Sequence, residues 1–299
     1  FDCDLALDGI RQMLWGFFKK VVVADNCALF VNGVFENYQT LDGSTLFLGA
    51  FFFTIQIYGD FSGYSDIAIG CARLFGIDLM QNFKYPYFSR DIAEFWRRWH
   101  ISLTTWFRDY IYIPLGGSRA GKWKSFRNTL VIFLVSGFWH GANWTFVAWG
   151  AYHALLFLPL LLLGQNRRYR DSVAENSFLP SVKELTQMGV TFLLVLLGWI
   201  LFRSEDISQA AVYLERMFNA SLFSAPQLVG LGFGQLLLKK CFFFTALMFI
   251  VEWIGRKQAH GLMIEDLSLP VRYVIYTVLL IIIYGFDASN PQGFIYFQF

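Results

Sequence analysis

Long apolar stretches alternate with short polar segments along this chain. Residues 144–163 contain no charged side chain, and a helix needs about 20 apolar residues to cross the hydrocarbon core of a bilayer. Residues 186–202 and 273–286 are shorter but equally free of charge, and residues 43–59 are uncharged before a polar tail. Helix tilt or local thinning of the bilayer accommodates such shorter stretches. The pattern therefore predicts several transmembrane helices.

Other apolar stretches are interrupted by charge. Residues 126–140 lead up to a Trp-His pair, and residues 13–36 contain charged side chains between apolar ones. Residues 228–255 are broken by Lys239 and Lys240. This break predicts either two short helices or one interfacial helix and one spanning helix.

Residues 83–117 mix charged and aromatic side chains at helical spacing. The segment is too polar to cross a bilayer and too apolar to lie freely in water. It predicts an interfacial or bundle-buried amphipathic helix that begins after Pro86 and ends at Pro114.

The composition agrees with a membrane protein. Of 299 residues, 56% are hydrophobic and 15% are charged, whereas soluble domains have about 25% charged residues. We find no internal repeat, so we predict one membrane domain over residues 1–299. Its predicted class is all-α, a multi-pass transmembrane helical bundle with interfacial or re-entrant helices. Because the chain starts at Phe1 rather than Met, we expect it to be the C-terminal portion of a longer protein.

Charge and cysteine content exclude several classes of protein. The formal net charge is only +2 and no basic stripe alternates with aromatic residues, so no nucleic-acid partner is expected. The four cysteines form no C-x-x-C pair, and no motif for a dinucleotide, a nucleoside triphosphate, an esterase serine or a protease zinc occurs. We therefore predict no metal site. The basic loops at residues 119–127 and 167–171 are expected on the cytoplasmic side.

His140 is the strongest candidate for chemistry. It follows Trp139 in the segment SGFWHGANW, where Gly137 and Gly141 allow a backbone or a ligand to approach closely. A neutral imidazole in an apolar pocket is a good general base. If the helix continues past His140, Asn143 lies on the same face. The alternative is a packing histidine bonded to a carbonyl, and the residues alone leave both readings open.

His100 is the second candidate. Helical spacing places Trp96 on the same face as His100. The neighbouring Arg97 can hold a phosphate or carboxylate, or it can pair with a buried acid such as Asp60 or Asp66.

The other histidines and one charged pair beside His100 are predicted to have no catalytic role. Glu94 and Arg98 have the i,i+4 spacing of a helical ion pair. His153 falls on the face opposite His140 and is assigned a packing role, and His260 is placed in a solvated loop.

Asp60 and Asp66 lie in the polar tail QIYGDFSGYSD. Gly59 and Gly63 form a small-xxx-small pair that lets another helix come close. We interpret the two acids as buried structural residues that pair with arginine or hydroxyl groups. A proton relay is the alternative.

Two long segments resemble a known family. They are FWRRWHISLTTWFRDYIYIPLGGSRAG at 95–121 and NTLVIFLVSGFWHGANWTFVAWGAYHA at 128–154, and GFFKKVVVADN, QIYGDFSGYSDIAIG and the terminal FIYFQF agree with them. Together they resemble the membrane-bound O-acyltransferase family, and within it the bacterial alginate O-acetyltransferase branch. The resemblance covers nearly the whole chain, although family members have further N-terminal spans.

The resemblance implies a helical bundle that encloses a narrow tunnel. It implies that His140, the histidine of the SGxWHGAxW segment, is catalytic, and that His100, the histidine of the RRWHxSL segment, is a second functional residue near the same tunnel. Asn143 or His100 can then bind the oxyanion or orient the base, and Trp139 and Arg97 are further supporting residues.

The implied activity is transfer of an acetyl or other acyl group from a cytoplasmic thioester, acetyl-CoA or a similar donor substrate, to an extracytoplasmic polysaccharide hydroxyl. No bound cofactor is expected. The implied surroundings are the lipid of the bacterial cytoplasmic (inner) membrane, and the implied partners are the polysaccharide acceptor and a periplasmic or extracellular acetyltransferase.

Two alternatives remain open. A related branch moves D-alanine from a carrier protein to teichoic acid, but the segment YIPLGG at 112–117 favours acetyl transfer. A secondary transporter with His and Asp residues at the membrane midplane is the rival from another class. Such transporters usually have paired repeats, and this chain has none that we detect.

Overall fold

The computed structural model describes residues 2–117, 121–227, 234–286 and 293. Within these residues the chain is helical and contains no β-strand, so the predicted all-α class is confirmed for this part. The chain divides into two compact units, one formed by Phe1–Gln81 with Arg216–Phe299 and the other by Asn82–Glu215. The single membrane domain over residues 1–299 stays a prediction.

Eleven α-helices lie in the described residues. In chain order they are α1 (Cys3–Phe17), α2 (Asp25–Glu36), α3 (Gly43–Leu74), α4 (Ile92–Arg98), α5 (Ile101–Phe107), α6 (Lys122–His140), α7 (Trp144–Leu162), α8 (Val182–Arg203), α9 (Ile207–Met217), α10 (Gln235–Ile254) and α11 (Leu269–Gly285). Wider π-helical turns occupy Phe18–Ala24 and Arg108–Tyr112, and short 3₁₀ turns occupy Pro86–Phe88 and Ala220–Phe223.

Among the described residues, α7 and α8 are the two helices long and apolar enough to cross a membrane. They correspond to the predicted spans at 144–163 and 186–202. The shorter predicted span at 273–286 falls in α11, an apolar helix of 17 residues. Side-chain caps fix where the two longer helices begin, since Asn143 accepts a hydrogen bond from the Thr145 amide and Ser181 forms a capping box with Glu184.

In the first unit, α1 packs closely along α3 because glycines face each other. A Cβ added to Gly16 would lie 2.6 Å from the carbonyl oxygen of Gly63, and one added to Gly70 would lie 2.3 Å from that of Gly9. No side chain fits at such distances. The close approach predicted from the small residues of the polar tail is therefore present at Gly63.

Buried and partly buried charges join the π-helical turn after α1 to α3. Lys19 Nζ lies 2.6 Å from Asp66 Oδ2 and donates to Ser62 Oγ at 2.9 Å. Lys20 Nζ lies 2.6 Å from Asp60 Oδ1. Both acids therefore lie in ion pairs, and their ion-pair partners are lysines rather than the expected arginines.

Three predicted features differ from the structure. Lys239 and Lys240 lie within the single helix α10, so the expected break is absent from residue 235 onward, and residues 228–233 lie outside the described part. The predicted amphipathic helix of residues 83–117 is two short helices, α4 and α5, followed by a π-helical turn. His260 is buried, and its Nε2 lies 2.9 Å from Asp8 Oδ1, whereas we expected a solvated loop.

Candidate functional site

A cavity of about 470 Å³ in the second unit contains both candidate histidines. Helix α6 lines it with residues at intervals of three or four, which is the repeat of one helical face: Thr129, Ile132, Phe133, Ser136 and His140. The opposite wall comes from α4, α5 and the π-helical turn that follows, and includes His100. The sequence predicted that His100 and His140 share one cavity despite their 40-residue separation, and the structure brings them together in this way.

His100 lies at the break between α4 and α5. Its φ of 45° and ψ of 54° place it in the left-handed region, which costs a non-glycine residue of order 1–3 kcal/mol. We expected one helical face to present Trp96 and His100 together. Both do line the cavity, but the turn at His100, rather than helical spacing, directs the second ring there.

Asn82 holds this turn. Its carbonyl oxygen accepts from the Ile101 amide at 2.9 Å, and its side-chain Oδ1 accepts from the Ser102 amide at 3.3 Å. Ser102 Oγ also donates to Oδ1 at 2.9 Å, and His100 Nδ1 lies 3.2 Å from the same atom. Nothing in the sequence around Asn82 signals this role, because the contact spans 18 residues and depends on the turn.

His140, the last residue of α6, has an aromatic environment. Its ring centroid lies 5.2 Å from that of Trp149, 5.0 Å from that of Phe202 and 5.0 Å from that of Trp139. All three rings meet it edge-on, and Trp139 lies 6.3 Å from the ring of His100 as well. Apolar rings on several sides leave the imidazole poorly solvated.

This desolvation keeps both histidines neutral. Both lie outside the two candidate spans, α7 and α8. Burial lowers the pKa of His100 from its ordinary value of 6.5 to about 4. Burial, with a smaller contribution from the neighbouring His100, lowers the pKa of His140 to about 3. Uncharged imidazoles at neutral pH are able to accept protons or hydrogen bonds.

Arg97 lines the cavity but its guanidinium is used in a structural contact. It donates to the carbonyl oxygen of Asn166 at 2.6 Å and to that of Tyr169 at 2.5 Å. We expected it either to hold an anion or to pair with Asp60 or Asp66. Instead it fixes the loop after α7, which also lines the cavity through Asn166 and Arg167.

A second arginine cluster supports this arrangement. Arg98 donates to Glu94 Oε1 at 2.7 Å, which confirms the predicted i,i+4 pair. Arg90 donates to the same carboxylate oxygen at 3.0 Å and to the carbonyl oxygen of Asp171 at 2.9 Å. Both arginines and Glu94 are buried. The predicted loop at 167–171 is thus tied to α4.

Of the supporting residues predicted beside His140, Trp139 lies next to it and Asn143 does not. Helix α6 ends at His140, so Asn143 does not share its face, as it would if the helix continued. The Asn143 side chain caps α7 and donates to the carbonyl oxygen of Glu205 at 2.6 Å, and it does not line the cavity. Trp139 is exposed and touches both histidine rings without lining the cavity.

Glycines at the contact between α6 and α7 serve helix packing. A Cβ added to Gly137 would lie 2.2 Å from the carbonyl oxygen of Phe146, and one added to Gly150 would lie 2.3 Å from that of Phe133. The close approach expected at Gly137 is therefore made by the backbone of α7. The His153 ring is fully buried between Trp96 and Trp149, at 4.9 and 5.2 Å, as its predicted packing role requires.

Cationic side chains dominate the charge of the cavity. Arg97, Arg108 and Arg167 line it, and none of its described lining residues is a carboxylate. The described part of the chain also has no group of three or more His, Cys, Asp or Glu residues able to hold a metal. Lys122, Lys124 and Arg127 belong to the start of α6 rather than to the predicted loop, and Arg119 lies outside the described residues.

Comparison with known proteins places the cavity in a recognised sequence region. The family model for the membrane-bound O-acyltransferase family (MBOAT) matches residues 31–172, which include both histidines. Over 240 residues, 79% of this chain and 44% of the relative, the sequence is 40% identical to the "Probable alginate O-acetylase AlgI" of Pseudomonas aeruginosa.

Two other relatives are named for acyl transfer to cell-wall polymers. The chain is 39% identical over 202 residues to the peptidoglycan O-acetyltransferase of Helicobacter pylori, covering 68% of this chain and 37% of that protein. It is 29% identical over 214 residues to the teichoic acid D-alanyltransferase of Bacillus subtilis, covering 68% and 52%. The chain spans about half the length of the curated relatives it matches or less.

Proposed function

The chain belongs to the membrane-bound O-acyltransferase family, in the branch that resembles alginate O-acetylases, and from this premise we propose that it transfers an acetyl group from a thioester to a polysaccharide hydroxyl. The observation that supports this most directly is the meeting of His100 and His140 in one cavity. Both rings are neutral at physiological pH, as a general base must be before it accepts a proton.

In the proposed reaction His140 accepts the proton of the attacking hydroxyl. The hydroxyl oxygen forms a bond to the thioester carbonyl carbon, and the carbon–sulfur bond then breaks. The thiolate leaves with the proton returned by His140, so the base is regenerated. The hydroxyl group of Ser136, one helical turn before His140 on the same face of α6, lines the cavity and is the proposed donor to the carbonyl oxygen.

The proposed donor is acetyl-CoA, used as a substrate. Arg97 is already bound to backbone carbonyl groups, so Arg108 and Arg167 are the lining arginines that support a donor with phosphate groups, since cationic side chains attract and orient phosphate. The proposed acceptor is an extracytoplasmic polysaccharide, either directly or through a periplasmic acetyltransferase partner. We place the protein in the bacterial cytoplasmic membrane as a multi-pass helical bundle, with the cavity as part of a tunnel.

D-alanyl transfer is the second candidate function, because a teichoic acid D-alanyltransferase is among the relatives. Acetyl transfer and D-alanyl transfer are distinguished by the acyl donor that each requires. Membranes that contain the intact protein should transfer label from acetyl-CoA to polysaccharide, and a D-alanyl-loaded carrier protein should not replace that donor. Label from D-alanine alone would establish the second function. Uptake of a solute without transfer from either donor would overturn acyl transfer in favour of transport.

A further inference from the structure

Asn82 lies beside His100 without lining the cavity. The identity of its contacting atom follows from its other partners. A backbone amide only donates, and the Ser102 amide points to this atom at 3.3 Å. The Asn82 atom is therefore the carbonyl oxygen, which only accepts.

The oxygen determines the tautomer of His100. Since Oδ1 accepts, His100 Nδ1 at 3.2 Å has to be the donor and bear the proton. Ser102 Oγ donates its one proton to the same oxygen at 2.9 Å, so that proton is not available to Nδ1, which lies 3.4 Å away. In a neutral ring the lone pair is then on Nε2.

Asn82 supplies the cap that His100 does not provide for α5. His100 occupies the N-cap position of α5 and makes no side-chain cap. Asn82 therefore receives the Ile101 amide with its main chain and the Ser102 amide with its side chain. A hydrogen bond from the Lys84 amide to the Arg98 carbonyl oxygen, at 3.0 Å, holds the segment after Asn82 against the end of α4.

The charge around the ring explains why an amide suits this place. The titratable or charged groups that face His100 across the cavity are Arg97 from α4, Arg108 and Tyr112 from the π-helical turn, His140 from α6 and Arg167 from the loop after α7. No carboxylate lines the described cavity, so nothing there favours the imidazolium form. An amide oxygen orients Nδ1–H without adding a negative charge.

We propose that Asn82 is a positioning residue that holds His100 as its Nδ1–H tautomer and so presents Nε2 to the substrate as an acceptor. This rests on the acyl transfer proposed above and deepens it. In this tautomer Nε2 receives a hydrogen bond from a hydroxyl or amide of the substrate. It does not donate to the oxyanion, the role the sequence left open for His100.

The test compares Asn82→Asp with Asn82→Ala in the intact membrane protein. Asn82→Asp retains every acceptor contact and adds a charge, so we expect the acidic limb of kcat/KM for acetyl transfer to move up by roughly 1–3 pH units. Asn82→Ala removes the acceptor and leaves the tautomers mixed, so kcat should fall roughly 10-fold or more with a smaller change in KM.

Asp91→Ala is the matched control, because Asp91 caps the neighbouring α4 through the Glu94 amide at 2.7 Å and is not among the residues that line the cavity. It should lower thermal stability while the pH profile stays unchanged. Nitrogen-15 spectra of labelled histidine, assigned by substitution of the other three histidines, should show His100 with its proton on Nδ1 in the wild-type protein.

An Asn82→Asp profile that overlays the wild-type profile, or a wild-type spectrum with the proton on Nε2, would overturn the positioning role. If Asn82→Ala does not fold, Asn82→Asp still decides the question. If the wild-type protein transfers no acyl group, the proposed function fails, and the spectra decide the tautomer independently of turnover.

Discussion

At the scale of single residues, the chemistry of the site is set by desolvation. The imidazole of His140 is surrounded by the rings of Trp139, Trp149 and Phe202, and no carboxylate among the described lining residues compensates a positive charge. A neutral ring is therefore favoured over the imidazolium. The lowered pKa makes His140 a weaker base. This is offset if the proton is transferred to the imidazole in the same step in which the new acyl bond forms.

The lowered pKa values predict an unusual pH profile. A histidine base of ordinary pKa loses activity as the pH falls through 6.5, because protonation removes its lone pair. With the pKa of His100 lowered to about 4 and that of His140 to about 3, both rings stay neutral well below that point. Acetyl transfer measured from pH 8 downward should hold until the pH approaches about 4. An acidic limb centred near 6.5 would contradict the desolvated site.

Sequence reasoning found the two histidines but not the residues that support them. His140 and His100 were identifiable because histidines beside apolar, tryptophan-rich segments are unusual. The position of Asn143 was not predictable because it depends on where α6 ends, and the end of the helix at His140 is visible only in the backbone. Asn82 was missed because a contact with a residue 18 positions away leaves no local pattern.

At the scale of helices, glycines decide how closely the elements pack. The α6–α7 contact is made by backbone atoms at Gly137 and Gly150. This packing holds the end of α6, and with it His140, against the aromatic side chains Phe146 and Trp149 of α7. The closeness of the helices thus forms part of the apolar wall around the imidazole.

Gly137→Ala should destabilise the protein. Its Cβ would lie 2.2 Å from the Phe146 carbonyl oxygen, so the backbone must shift, and overpacking of this kind costs about 1–3 kcal/mol. Gly189→Ala is the matched control, because nothing lies within 4 Å of a Cβ there and the residue is also in a helix. Its expected effect is a stabilisation of about 0.5–1 kcal/mol. Equal unfolding temperatures of the two variants in detergent would refute the backbone contact.

The buried ion pairs of the first unit should matter in the same way. Asp66→Asn leaves Lys19 with only the more distant carboxylate of Glu252, at 4.0 Å. Removing one partner of a buried pair lowers the free energy of unfolding by about 3–5 kcal/mol. Because Glu252 still compensates part of the Lys19 charge, we expect a loss near the lower end, about 3 kcal/mol. Asp109→Asn, which breaks an exposed pair with Arg108, should leave the unfolding temperature unchanged. The same loss in both variants would show that burial is not the cause.

The helices themselves were largely predictable, whereas their interruptions were not. Uncharged stretches of sufficient length identified α7 and α8 because backbone hydrogen bonding and burial favour a continuous helix there. The break between α4 and α5 was missed, since residues 83–117 keep helical spacing throughout. It arises from the left-handed backbone at His100, which tertiary contacts hold in place.

At the scale of the whole molecule, the distribution of cations predicts orientation. Lys122, Lys124 and Arg127 lie at the start of α6, and cationic segments beside spans face the cytoplasm. Lys124 is exposed, so the cysteine of a Lys124→Cys variant should react with an impermeant thiol reagent in inverted vesicles and not in intact cells. Cys3 and Cys71 are exposed thiols, so both are replaced by serine, and that background without the new cysteine is the control. Labelling in intact cells would place this end of α6 outside.

One assay tests most directly whether His140 is the catalytic base. Membranes with the intact protein or with its His140→Gln variant, matched for the amount of folded protein, are given acetyl-CoA labelled in the acetyl group, and label in the polysaccharide is measured. Loss of a general base lowers a rate roughly 10²–10⁴-fold, so we predict a loss of this size in the variant with unchanged thermal stability. Transfer by the folded variant at the wild-type rate would contradict the assignment of His140 as the catalytic base.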